Sequence, residues 1–164
     1  MFSPPKKLEC AMIGISMCSS VTNLISLIIM ERFVMAAAGG DLNTFRKMIN
    51  EGSVELTNLH SELKCTALHA AADFGQAEVV AEIIKTGMSL NVKDPSKGFT
   101  PLHFAAQSAR SSVIELLLNH GADRLQTSRA GLKPFEVADK LGYFDCREML
   151  KHLPPIVKSI EVIL

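Results

Sequence analysis

Apolar residues recur at helical spacing in two segments that repeat along the chain. Residues 77–87 and residues 111–121 each carry groups of aliphatic side chains separated by three to four positions. These are Val79-Val80 with Ile83-Ile84 in the first segment and Val113-Ile114 with Leu116-Leu117-Leu118 in the second. This spacing places the aliphatic side chains on one stripe of a helix and leaves charged residues on the opposite face. Gly87 and Gly121 close the two segments, and glycine readily adopts the left-handed conformation that ends a helix. The pattern therefore predicts two amphipathic helices, each with a broad buried stripe.

A second helix is predicted before each of these stripes. The segment from Thr66 to Gly75 aligns with the segment from Thr100 to Ala109 at an offset of 34 residues. A threonine hydroxyl at a helix start caps free backbone N–H groups. Pro101 then occupies the first helical position, where a missing N–H costs nothing. Both segments contain alanine pairs, which allow neighbouring helices to approach closely.

The helix pair recurs four times in one register. Residues 133–142 follow the second copy at an offset of 33, and residues 35–52 fit the same frame upstream. No single unit could bury its own apolar face, so stability must come from stacking. We predict a repeat domain over residues 31–153, between a leader (1–30) and a tail (154–164). Its units are expected at residues 31–57, 58–91, 92–124 and 125–153.

This pattern resembles the ankyrin repeat family. The family's Thr-Pro-Leu-His signature is complete at residues 100–103 and nearly complete at 66–69, and Gly-Ala-Asp at 121–123 matches a further element. The resemblance implies an all-α solenoid of helix–turn–helix units with β-turn fingers and a concave recognition face. It also implies that His69 and His103 bond to the threonine hydroxyl and to neighbouring backbone. The structural motif residues are Thr66, His69, Thr100, Pro101 and His103.

Three departures from the family pattern change the expectations locally. Lys133 and Glu136 replace the threonine and the histidine in the last unit, so we expect that hydrogen-bond network to be absent there. The finger before Thr100 has one residue more than usual. The stretch before Thr66 lacks glycine, which predicts an altered turn.

The two ends account for much of the positive mean hydropathy of +0.21. Residues 10–30 carry no charge, and their length permits a membrane span. Six serine, threonine and asparagine residues in that run argue against insertion. We favour a helix that covers the open end of the repeat stack. A membrane anchor and a disordered or non-native leader are the alternatives, and the tail has no assigned role.

Charge and cysteine content exclude several function classes. Seventeen basic and seventeen acidic residues cancel, so no overall charge attracts nucleic acid. The four cysteines form no closely spaced pair, which indicates reduced thiols in the cytoplasm or the nucleus. Cys65 and His69 stand four residues apart, but the repeat signature already explains His69. We find no phosphate loop, nucleophile elbow or zinc motif, and therefore predict no enzyme, catalytic residue, metal or cofactor.

Recognition of a protein partner by a monomeric chain is therefore the predicted function, as an adaptor or regulatory subunit. A kinase-inhibitor-like protein and a membrane-tethered ankyrin protein are the alternatives. Partner contacts are expected at the finger tips and at the ends of the first helices, which stacking does not require. Phe74 and Phe99 are candidate anchors, unless each ring folds onto the next repeat and merely packs. The predicted partner-binding residues are Asp73, Phe74, Lys93, Ser96, Lys97, Phe99, Gln107, Ser108, Arg129, Leu132 and Lys140.

Overall fold

The computed structural model describes residues 22–50 and 67–152. Within these two ranges the chain is helical and contains no strand, so the predicted all-α fold class is confirmed. The helices come in pairs joined by tight turns. They are α1 (Thr22–Gly39), α2 (Leu42–Asn50), α3 (67–74), α4 (Ala77–Lys85), α5 (Pro101–Gln107), α6 (Ser111–Asn119), α7 (Pro134–Lys140) and α8 (Phe144–Lys151).

The helix pairs stack in two layers. The second helices of the pairs contact one another in the order α2, α4, α6, α8, and in the first-helix layer α5 contacts α7. Val34 and Ala38 of α1 pack with Ala70 and Phe74 of α3, which continues the first-helix layer toward the N-terminus. Each pair therefore buries its apolar faces against its neighbours, as expected for a solenoid.

Small alanines allow the first helices to pack closely. Ala37, Ala71, Ala72, Ala105 and Ala106 are completely buried. A larger side chain at these positions would force the helices apart, because protein cores are close-packed. The expectation that the alanine pairs lie at helix contacts is confirmed.

The aliphatic stripes of the second helices are narrower than predicted. Val79, Val80 and Ile83 of α4 are completely buried, and the same holds for Val113, Ile114 and Leu117 of α6. The predicted stripe also included Ile84, Leu116 and Leu118, but these three side chains are only half-buried at the edge of the core. A helix that contacts neighbours on two sides still keeps a boundary where apolar side chains meet solvent.

The turn between the two helices of a pair requires a left-handed residue. Gly40, Gly75 and Gly142 have φ of 73°, 79° and 78° at this position. In the third pair the equivalent residue is Ala109, with φ of 53°, the one non-glycine residue with positive φ in the described ranges. The third pair therefore adopts the same turn at a steric cost that glycine avoids.

The first pair uses aromatic packing where it lacks the threonine–histidine signature. Phe33 of α1 and Phe45 of α2 are buried, and their rings stack with centroids 4.7 Å apart. Helix α1 begins at Thr22, so it starts inside the segment predicted as a leader and runs without interruption past residue 31. Residues 1–21 and the tail at 154–164 lie outside the described residues.

No helix within the described ranges is long and apolar enough to cross a membrane. Of the candidate span at residues 10–30, only residues 22–30 are described, and these form the first half of α1.

Candidate partner-binding surface

A threonine–histidine network connects the third helix pair to the fourth. The Nδ1 atom of His103 accepts hydrogen bonds from the Thr100 backbone N–H at 3.2 Å and from the Thr100 hydroxyl at 2.8 Å. Because Nδ1 accepts, the proton lies on Nε2, which donates to the Leu132 carbonyl oxygen at 2.9 Å. The histidine therefore caps its own helix and also fixes the backbone of the next repeat.

The same type of bond joins the second pair to the third. The Nε2 atom of His69 lies 3.0 Å from the Val92 carbonyl oxygen. Thr66, the predicted partner of His69, lies outside the described residues. The expected role of both histidines in joining repeats agrees with this geometry.

This network needs a neutral imidazole at His103. Burial lowers the pKa of His103, and the hydrogen bond to the Leu132 carbonyl opposes that shift only in part. The charge of Lys93 lowers the pKa further, while Asp94 raises it. A lowered pKa keeps Nδ1 unprotonated and able to accept from Thr100.

The last helix pair retains half of this network, which corrects the expectation that it is absent there. The Glu136 carboxylate accepts a hydrogen bond from the Lys133 backbone N–H at 2.7 Å. Glu136 thus performs the helix-capping role that histidine has in the preceding repeat, as in a capping box. Helix α7 has no following repeat in the described chain, so no second bond is required of Glu136.

Finger 3, residues 91–100, is organised by one carboxylate. Asp94 accepts hydrogen bonds from the backbone N–H groups of Ser96 and Lys97, both at 3.0 Å, and from the N–H of Phe99 and the Ser96 hydroxyl. Although burial raises the pKa of Asp94, these hydrogen bonds outweigh burial and hold the pKa below its usual range. The negatively charged Asp94 carboxylate therefore stabilises the conformation of finger 3 by accepting several hydrogen bonds from it.

Finger 3 is bonded to finger 4, residues 123–133. The backbone N–H of Arg129 donates to the Lys97 carbonyl at 2.9 Å, and the Arg129 guanidinium donates to the Ser96 carbonyl at 2.9 Å. The Lys93 ammonium of finger 3 donates to the Thr127 carbonyl of finger 4 at 2.7 Å. A side chain at Gly98 would place its Cβ 2.9 Å from Cγ of Arg129, so this close approach requires glycine.

A further set of bonds between repeats was missed by the sequence analysis. The Gln76 side-chain amide donates to the Ala38 carbonyl at 3.0 Å, and the Arg110 guanidinium donates to the Asp73 carbonyl at 3.0 Å. Both donors directly precede a second helix, and both acceptors lie at the end of the preceding first helix, where carbonyls lack intrahelical partners. The alignment of Gln76 with Arg110 at an offset of 34 was the available signal.

The comparisons with known proteins agree with this architecture. A family model of ankyrin repeats matches residues 33–128 in three copies. The chain belongs to the ankyrin-repeat family. The predicted resemblance is thus confirmed.

Relatives of this ankyrin chain include two proteins named as regulatory subunits of protein phosphatase 1, one from mouse and one from human. It is 34% identical over 106 residues to mouse protein phosphatase 1 regulatory subunit 12A, a match covering 63% of the chain and 10% of that protein. It is 32% identical over 100 residues to human protein phosphatase 1 regulatory subunit 27, covering 61% of the chain and 64% of that protein. It is also 38% identical over 61 residues to human 2-5A-dependent ribonuclease, a match covering 37% of the chain and 8% of that protein. The chain therefore spans about a tenth of the mouse phosphatase subunit.

The ankyrin array places the eleven predicted partner-binding residues in two groups. The exposed group belongs mainly to fingers 3 and 4 and consists of Lys93, Ser96, Lys97, Arg129 and Lys140. The half-buried group consists of Asp73, Phe74, Phe99, Gln107, Ser108 and Leu132.

Members of the half-buried group contact the array itself. The Ser108 hydroxyl donates to the Asp73 carboxylate of the preceding repeat. Leu132 receives the bond from His103 through its carbonyl. Gln107 has its Oε1 atom shielded from solvent, and this atom has no hydrogen-bond partner within the described part of the chain. Asp73, Ser108 and Leu132 therefore take part in bonds between repeats, and the role of this group toward a partner stays a prediction.

The two candidate aromatic anchors also pack within the array. The ring of Phe99 stacks on His103 at 5.1 Å and meets Phe104 edge-on at 5.6 Å. Phe74 packs against the cluster formed by Val34, Ala38 and Ala70. Both rings therefore pack, although not on the next repeat as the alternative proposed: Phe74 packs on the preceding repeat and Phe99 within its own. This packing leaves only part of each ring available for a partner.

No group of histidine, cysteine or acidic residues suited to a metal ion occurs in residues 22–50 and 67–152. Cys65 lies outside these ranges, so its pairing with His69 is not described. Cys146 is buried, and its sulfur lies 3.6 Å from the Ser111 hydroxyl.

Proposed function

We propose that this ankyrin chain is a non-enzymatic protein-interaction module, an adaptor or regulatory subunit that binds a protein partner through its fingers and concave face. One observation carries the proposal: fingers 3 and 4 hold exposed side chains in position through bonds that cross between repeats. Lys93 and Arg129 are bonded to neutral backbone carbonyls, so their charges remain available to a partner. Buried alanine and aliphatic residues form the core of the stack, and the exposed charges of the fingers remain accessible to a partner.

The names of the relatives support a role in regulation. Two of them are regulatory subunits of protein phosphatase 1, and they align with this chain over 100 and 106 residues. The ribonuclease match covers only 8% of that enzyme, so it gives little support for catalysis by the shared segment.

Site-specific photocross-linking would test the surface in the full chain. A photoreactive amino acid replaces Ser96 or Lys140 on the proposed surface, or Lys85 on the second-helix layer as a matched exposed control. We expect the first two positions to form discrete protein adducts in cells and Lys85 to form none. Adducts from Lys85 alone, or no adducts from either proposed position, would contradict the proposed surface.

A second candidate function is suggested by the phosphatase relatives: regulation of a phosphatase catalytic subunit. Titration calorimetry with purified protein phosphatase 1 catalytic subunit would test it. A saturable one-to-one complex, weakened by charge reversal at Lys97 and Arg129, supports this function. Absence of binding by the folded chain rules it out and leaves the general interaction role intact. The kinase-inhibitor-like and membrane-tethered alternatives stay hypotheses without a supporting observation.

A further inference from the structure

We infer that the partner presents an acidic peptide segment, which docks across fingers 3 and 4. The inference rests on the proposed function and specifies the chemistry of the partner. It depends on an uneven distribution of charge, since the chain as a whole has a net charge of zero.

Basic residues outnumber acidic residues in both fingers. Finger 3 contains Lys93 and Lys97 against Asp94, and finger 4 contains three basic residues against Asp123. Its basic residues are Arg124, Arg129 and Lys133. Two adjacent loops thus concentrate positive charge that is balanced elsewhere in the chain.

The two acidic residues of the fingers are turned toward their own loops. Asp94 accepts hydrogen bonds from the backbone N–H groups of Ser96, Lys97 and Phe99. Asp123 accepts from the Leu125 N–H at 2.9 Å and from the Gln126 side-chain amide at 3.0 Å. Neither carboxylate forms a salt bridge with a basic side chain in the described ranges, so both act as loop-closing acceptors.

The basic groups of the fingers are held by neutral partners. The Lys93 ammonium and the Arg129 guanidinium bond to carbonyl oxygens, and the Lys97 ammonium lies 5.3 Å from the centre of the Phe99 ring. These contacts restrict the side chains without cancelling their charge. Ordering before binding reduces the entropy lost when a partner carboxylate arrives.

The second-helix layer has a different arrangement of charge. Glu82 pairs with Arg46 at 3.1 Å and with Lys85 at 2.9 Å, so these basic groups already have carboxylate partners. A carboxylate of a partner would gain less at this surface. Electrostatic complementarity therefore favours the fingers as the docking site.

An acidic peptide fits the fingers better than a nucleic acid does. Single-stranded nucleic acids bind where aromatic faces are open for base stacking beside basic groups. Phe99, which lies among these basic residues, is instead stacked on His103 and covered by Lys97. The fingers therefore offer charge and hydrogen-bond donors but no open aromatic platform.

Fluorescence anisotropy with the full chain would test the inference. The probe is a labelled peptide of alternating Glu and Gly, about ten residues long so that it can reach both fingers. We expect saturable binding that weakens strongly between about 50 and 300 mM NaCl, because salt screens exposed charges. The finger variant Lys93→Gln/Lys97→Gln/Arg129→Gln should bind roughly tenfold more weakly.

A charge-matched control separates the fingers from net charge. Arg32→Gln/Arg46→Gln/Lys85→Gln removes the same number of positive charges from the first two helix pairs, outside fingers 3 and 4, and should retain wild-type affinity. Circular dichroism and melting curves establish that both variants are folded, and Lys97→Glu provides a single variant that removes no hydrogen bond present in the described chain.

Three results would overturn the inference: equal binding by the wild type and the finger variant, equal losses in both triple variants, or binding of a single-stranded uridine oligonucleotide as tightly as the peptide. If the peptide does not bind but Ser96 and Lys140 still cross-link to a protein, the acidic partner is wrong and the proposed interaction function stands. If both experiments fail, the interaction surface itself is wrong.

Discussion

Nε2 of His103 lies 2.9 Å from the carbonyl oxygen of Leu132, so a buried side chain of one ankyrin repeat bonds to the backbone of the next. The same imidazole accepts two hydrogen bonds from Thr100 through Nδ1. One imidazole ring thus caps the start of its own helix α5 and also holds the backbone of finger 4 in place. This finger lies beside the exposed basic residues, so the stability of the stack and the position of the proposed surface depend on the same contact.

Replacing His103 by alanine should destabilise the array. The change leaves the Thr100 N–H and the Leu132 carbonyl without their partner, and unpaired buried groups cost about 1–3 kcal/mol. Urea unfolding followed by circular dichroism measures the loss. His120→Ala is the control, because His120 is exposed and, among the described residues, its ring bonds only to the Leu116 carbonyl of the adjacent helix α6. Equal midpoints for His103→Ala and the wild type would show that the network does not stabilise the fold.

The same histidine should make stability depend on pH. Burial lowers the pKa of folded His103 below its ordinary value of 6.5, so the unfolded chain binds a proton first as the pH falls. Its contribution is therefore complete above about pH 6.5 and decreases toward the folded pKa, by at most about 1.4 kcal/mol per pH unit. Urea unfolding at several pH values, compared between wild type and His103→Gln, isolates this contribution from that of the carboxylates. A parallel pH dependence in the two proteins would contradict the assignment.

Replacing Ala109 by glycine should stabilise the third repeat. Ala109 has φ of 53°, whereas the equivalent turns use Gly40, Gly75 and Gly142. Relief of the left-handed strain outweighs the greater chain entropy of glycine, giving a gain of up to about 1 kcal/mol. Gly142→Ala is the reciprocal control, because its Cβ would meet no atom within 4 Å and only the positive φ opposes it. Chemical unfolding should show opposite shifts, and shifts of the same sign would be inconsistent with the strain argument.

The capping role of Glu136 can be tested by a pair of substitutions. Glu136→Ala leaves the Lys133 N–H without its acceptor and should cost about 0.5–2 kcal/mol. Glu136→Gln keeps an acceptor oxygen and should cost less. Hydrogen exchange of α7 amides would localise the effect to the last repeat. Equal losses of stability in Glu136→Ala and Glu136→Gln would indicate that the charge of Glu136, and not the capping hydrogen bond, stabilises the last repeat.

Much of the fold could be predicted because it depends on patterns that repeat within short segments. The alanine pairs and the aliphatic spacing each appear in at least two copies in one register, and the Thr-Pro-Leu-His signature appears once complete and once nearly complete. Sequence also identified His69 and His103 as residues that join repeats, although only through the family resemblance. We predicted that Ile84, Leu116 and Leu118 would be buried, but they are only half-buried. Periodicity predicts the direction in which a side chain points, but it does not predict where the core ends.

The candidate surface could be predicted only in part. Lys93, Ser96, Lys97, Arg129 and Lys140 are exposed as expected, but the contacts that orient the finger residues join positions about thirty residues apart. The sequence left both anchoring and packing open for Phe74 and Phe99, since an aromatic residue at a repeat boundary can point either way. The structure packs Phe74 against α1 of the preceding repeat and Phe99 against His103 and Phe104 of its own repeat.

The sequence by itself determined the family, the helix pairs and their common register, because each repeat carries local signals for its own caps, turns and buried stripe. Only the tertiary structure decided which groups meet across repeats: Arg129 with Ser96, Gln76 with Ala38 and Ser108 with Asp73. The reason is geometric. A local pattern specifies the faces that stack, whereas hydrogen bonds between loops depend on the exact approach of one repeat to the next, to within a few tenths of an ångström.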